Sequence, residues 1–152
     1  QRLNQTLVSG VVVHSTYETG RKLRDLALLD CTVTLEYDRG VPTGAPSAIR
    51  ELFGRDSVIV TKKSKNGLQD QDIIPMIRNI TVEQLSDREI ALRARVCCQN
   101  PTLNPMQLHH AVCTYLPELA PDFAKCCRLG FCSIWKHKWL DIKRKYCFNK
   151  IN

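Results

Sequence analysis

No stretch of this 152-residue sequence approaches the roughly 20 consecutive apolar residues that a bilayer-spanning helix needs, so no transmembrane segment is expected. The sequence also has no Cys-x-x-Cys pair, which argues against a zinc ribbon although eight cysteines are present. Seven glycines and seven prolines are too few for a disordered, turn-rich tail when 43% of residues are hydrophobic. There is no internal repeat and no low-complexity run. Enzyme signatures are missing as well: no Gly-x-Ser-x-Gly elbow, no His-Glu-x-x-His, no phosphate loop and no Gly-x-Gly-x-x-Gly. The Cys-x-Gly-x-Cys of dimeric cystine-knot growth factors is absent too. The sequence therefore reads as a non-enzyme, with no metal and no cofactor.

The cysteines are the strongest positive signal. Cys97, Cys98, Cys113, Cys126, Cys127, Cys132 and Cys147 form a C-terminal block, and Cys31 stands far upstream. Seven cannot close pairwise, so Cys31 is expected to reach across and staple the two halves together. The expected partner is Cys98, a link that would contribute roughly 4 kcal/mol on a chain-entropy basis. Neighbouring cysteines close a strained ring, so members of the vicinal pairs should seek different distant partners. Two glycosylation sequons, Asn4-Gln5-Thr6 and Asn79-Ile80-Thr81, point with the cysteines to a secreted, extracellular protein. The start at Gln1 without Met is consistent with removal of a signal peptide.

Charge is concentrated at one end. Residues 1–96 carry 14 basic and 12 acidic side chains, whereas residues 133–152 carry six basic residues against Asp141 alone. Lys136, Lys138, Lys143, Arg144 and Lys145 flank Trp135 and Trp139 on an expected helix from Ser133 to about Tyr146. Such a patch suits a polyanion, first a glycosaminoglycan. Nucleic acid is not expected for a secreted, disulfide-bonded chain. On the same basis a membrane-active toxin is an alternative, and a small secreted hydrolase a third.

A chain of this length makes one domain, 1–152, able to bury roughly 70% of its unfolded surface. Residues 1–97 read as a β-rich body and 98–152 as a cysteine-rich, helical, disulfide-stapled segment packed on it. The class expected is α+β, with a mainly antiparallel, sandwich or barrel-like body. Strands are expected over 7–16, where Val11, Val12 and Val13 cluster, and over Cys31–Asp38, where Cys31, Val33, Leu35 and Tyr37 alternate with polar residues. Further strands are expected at Ser57–Thr61 and at Ile73–Glu83, with an Asn66-Gly67 turn between them and Pro75 marking an edge or bulge. Ser86-Asp87-Arg88-Glu89 matches a helix capping box, but the alternation of Ile90, Leu92, Ala94 and Val96 favours a strand over 86–97. Helices are expected over Ser47–Phe53, from Asn104 to Leu116, and over Asp122–Leu129, the last ended by Gly130. His109 and Cys113 share a helix face at i, i+4, a spacing that could serve a metal but that a disulfide from Cys113 would pre-empt. His14 reads as a strand residue. The partner favoured by all this is an extracellular or cell-surface protein.

Overall fold

The computed structural model describes residues 2–15, 26–64 and 67–133. Its centre is a strand, β1 (Leu26–Glu36), which has a neighbour on each side. Alternation sends Leu29, Cys31, Val33 and Leu35 to one face, where each is at most 3% exposed. On one side lies β5 (Glu89–Cys97), antiparallel, with Ala94 opposite Cys31, Leu92 opposite Val33 and Ile90 opposite Leu35. These pairs make a continuous apolar layer, and full burial of each large side chain is worth about 1.5–3 kcal/mol.

Residues 89–97 are thus a strand rather than a helix, preceded by a turn at Asp87 and Arg88. Ser86 spends its hydroxyl inside the turn, accepting the Arg88 N–H at 3.2 Å, so no capping box forms. That turn joins β5 to β4 (Ile77–Ser86), the outer strand on this side. On the other side of β1 runs β6 (Phe123–Ser133), completing an antiparallel sheet in the order β4-β5-β1-β6. A separate hairpin pairs β2 (Ile59–Ser64) with β3 (Gly67–Asp72), and Gly67 at φ 106° supplies the left-handed conformation its turn requires. β3 is polar because four of its six residues, from Gly67 to Asp70, are exposed.

Among the described residues three α-helices accompany the sheet. The first, α1 (Arg2–Thr6), is a single turn. In α2 (Ala45–Phe53), Pro46 sits in the first turn and Gly54 closes the end, and Ala45, Ile49, Leu52 and Phe53 form one buried stripe. For α3 (Met106–Tyr115), the Asn104 carboxamide oxygen accepts the Met106 N–H at 3.2 Å, and Gln107 reaches back to accept the Asn104 N–H at 3.2 Å. Its Leu108, Ala111 and Val112 join the same core as α2 and the inward face of the sheet.

The α+β class with a mainly antiparallel sheet is what the structure has. Several finer expectations change. Residues 7–15 are not a strand: Val8, Val11 and Val12 are 74%, 49% and 60% exposed, and Asn4 holds the Val13 backbone with two hydrogen bonds of 3.0 and 2.8 Å. β-Branched residues favour strands through packing on a half-buried pleat, and that packing is not provided here. Residues 123–133 are a strand, not a helix, so the sheet extends into the segment expected to be helical. Gly130 ends nothing; it lies opposite Asp30, beside a bulge in β6. At Pro75 a short 3-10 turn, Ile74–Met76, precedes β4. Beyond Ser133 the expected C-terminal helix lies outside the described residues.

Candidate functional site

The register sorts the cysteines between the two faces of the sheet. Cys31 faces the core, 1% exposed, with its thiol directed at the Ala94 carbonyl oxygen at 3.5 Å. Cys126 lies opposite Val33 on that same side, while Cys127 lies opposite Thr32 on the other. Cys97 and Cys132 both lie opposite Leu28, one on each side of β1. A vicinal pair within a strand must split between faces. Cys126 and Cys127 therefore cannot serve the same partner.

The expected Cys31–Cys98 link does not fit this register. Cys98 donates its N–H to Ala27 at 2.9 Å, four residues along β1 from Cys31. Four strand residues span roughly 13 Å, against a Cα separation of about 7 Å at most across a disulfide. Cys31, Cys97, Cys98, Cys113, Cys126 and Cys132 carry free thiols here. Burial, with smaller contributions from Cys126 and Asp30, pushes the Cys31 thiol up to about 12. A thiol held protonated in this way is chemically inert.

The face turned away from the core is a lattice of ion pairs. Arg95 meets Asp30, directly opposite on β1, through two hydrogen bonds of 2.7 and 3.0 Å. Asp30 holds the Arg95 guanidinium above its ordinary pKa, chiefly through these bonds. The Cys132 thiol sits 3.8 Å from the same carboxylate. Arg93 pairs with Glu83 at 3.1 Å, and Lys125 bridges Glu36 at 2.7 Å and Glu89 at 3.3 Å. Beside Lys125, opposite Glu36, Phe123 is 61% exposed. Phe123 is thus an exposed aromatic ring beside the charges of Lys125, Glu36 and Glu89. The alternation that turns Ile90, Leu92, Ala94 and Val96 inward turns Arg93 and Arg95 outward, whereas their partners come from other strands and have no local signal.

Comparison with protein-family models, with curated proteins and with solved structures yields no match. The site is therefore read from its own chemistry.

Of the two sequons, Asn79 and Thr81 are both exposed on β4. Asn4 is exposed as well, but its amide nitrogen is engaged with the Val13 carbonyl. Lys136, Lys138, Lys143, Arg144, Lys145 and Cys147 lie outside the described residues. No described helix is long and apolar enough to cross a membrane. A shallow cleft of about 430 Å³, lined by Lys62, Gln71, Cys98, Asn100 and Thr102 among others, has no counterpart in the sequence reading.

The i, i+4 pair on α3 is a real contact. The Cys113 Sγ lies 3.2 Å from the His109 Nε2. Burial, reinforced by His110, lowers the His109 pKa, and burial raises that of Cys113. Both shifts favour the neutral pair, so this is not the thiolate–imidazolium couple of a cysteine nucleophile. Among the described residues His109 Nδ1 has no protein hydrogen-bond partner.

Proposed function

We propose that this protein acts outside the cell as a binding protein, a secreted and disulfide-bonded glycoprotein that recognises another protein. The observation that supports this most is the exposed Phe123 beside the Lys125–Glu36–Glu89 network on the outward face of the sheet. Such a surface offers a desolvatable anchor with a polar surround, and its charges steer and orient a partner. The sequon on β4, with Asn79 and Thr81 exposed, agrees with passage through the secretory route. Cys31 in the core and Cys113 against His109 stay reduced in this reading. Six cysteines then remain to pair, an even number. The basic segment 133–152 adds affinity for glycosaminoglycans at the cell surface.

The test is affinity capture from cell-surface extracts with the intact oxidised protein, beside a variant carrying Phe123→Ala and Lys125→Glu. A partner held by the parent and lost by the folded variant supports the reading. Equal capture by both removes the outward face as the recognition surface.

A further inference from the structure

From the geometry of helix α3 we infer that His109 and Cys113 form a zinc-binding half-site, a function independent of the recognition surface on the sheet. Two observations carry it. The two side chains come from one helix face at i, i+4, and their ligating atoms, Nε2 and Sγ, are 3.2 Å apart. Zinc bonds of about 2.0–2.1 Å to nitrogen and about 2.3 Å to sulfur place N and S about 3.5 Å apart at a tetrahedral angle. The bite therefore needs to widen by only a few tenths of an ångström, within reach of small side-chain rotations. A linear two-coordinate metal would need more than about 4 Å by the same bond lengths, so the geometry excludes a linear ion.

The second observation is the state of the imidazole. The contact is compatible with the thiol donating to Nε2 and the ring proton on Nδ1, the tautomer in which Nε2 presents its lone pair to a metal. His110 does not share the site: its ring meets that of His109 edge-on at 5.7 Å between centroids and it is exposed. Among the described residues no third ligand joins the pair. Water fills the remaining two positions, which makes this a weak and exchangeable site rather than a structural one.

Binding is a ligand exchange without redox change. The Zn–S and Zn–N bonds form, four of the six waters of the hydrated ion leave while two stay, and the Cys113 thiol proton passes to solvent. One proton is released per ion bound, and affinity rises with pH.

The test is titration of the intact protein, as secreted and without added reductant, first with cobalt(II) and then with zinc. Expected is a sulfur-to-cobalt charge-transfer band that saturates with excess cobalt along a one-site isotherm and is displaced by zinc. Cys113→Ser should abolish the band. His109→Gln should weaken binding at least about tenfold, as loss of one ligand does. His110→Gln should bind as the parent does. Thermal melts confirm that each variant is folded, both target side chains being only partly buried. A band unchanged in folded Cys113→Ser overturns the proposal. So does peptide mapping that finds Cys113 in a disulfide, because no thiol then remains to bind.

Discussion

Two ion pairs on the outward face differ mainly in burial, and that difference sets their worth. Arg95 and Asp30 are 34% and 19% exposed, directly opposed and doubly hydrogen-bonded. Arg93 and Glu83 are 55% and 57% exposed, and Glu83 lies opposite Ala91 rather than Arg93, so that pair is diagonal. Unit charges about 4 Å apart gain about 1 kcal/mol in water and about 4 kcal/mol at an effective dielectric constant of 20. Arg95–Asp30 falls between these limits, and desolvation and lost rotamer freedom reduce it to about 1–2 kcal/mol net. Arg93–Glu83 should give about 0–0.5 kcal/mol. The measurement is a double-mutant cycle to alanine for each pair, by urea denaturation at 25 °C and low ionic strength. The expected difference corresponds to a few degrees in Tm for a chain of this size. Added salt should shrink the exposed pair first. Equal coupling in the two cycles, or the larger value for Arg93–Glu83, would refute the argument that burial and facing register decide which pair matters.

Other outcomes follow from the core and the surface. Because the Cys31 thiol is raised from an ordinary 9.0 to about 12 in the folded protein, the unfolded chain loses this proton first. Stability should then fall as pH rises above 9; urea midpoints of the parent should decline more steeply there than those of Cys31→Ala. Leu92, fully buried between Val33 and Val82 by register, should cost about 2–5 kcal/mol on truncation to alanine, seen as a lower midpoint with unchanged slope. In protein from a eukaryotic host, glycosidase treatment should shift the mass through Asn79 and the shift should vanish in Thr81→Ala. Asn4, whose amide is already bonded to Val13, should be occupied to a smaller extent.

How much was legible in the sequence depended on whether a residue's role was set locally. β1 and β5 could be read from alternation because each buries one face, and α2 from its flanking proline and glycine. β6 could not. Phe123, Lys125 and Cys127 against Ala124, Cys126 and Arg128 make no clean apolar alternation, because among the described residues β6 has a neighbour along one side only and half of its side chains reach water. The valines at 11–13 misled in the opposite direction, having strand propensity without a pleat to pack on. Of the candidate site, the His109–Cys113 pair was visible in its spacing, since a helix fixes i, i+4 neighbours. The Asp30–Arg95 and Lys125–Glu36 pairs were not, because they join residues whose proximity exists only after the strands align. The partner of Cys31 was misjudged for the same reason: sharing a face says nothing about position along the strand.

The central place of β1 governs the order in which this chain can be made. Its partner Ala94 is 63 residues from Cys31, and its other partner, β6, comes later still. During synthesis β1 must therefore wait with both edges unsatisfied, while β4 and β5 can close at once as a local hairpin. Such late, long-range pairing slows folding and leaves an apolar edge available to other chains. A chain truncated before residue 123 would leave one edge of β1 permanently open. It should aggregate as it emerges, even though every residue of β1, β4 and β5 is present.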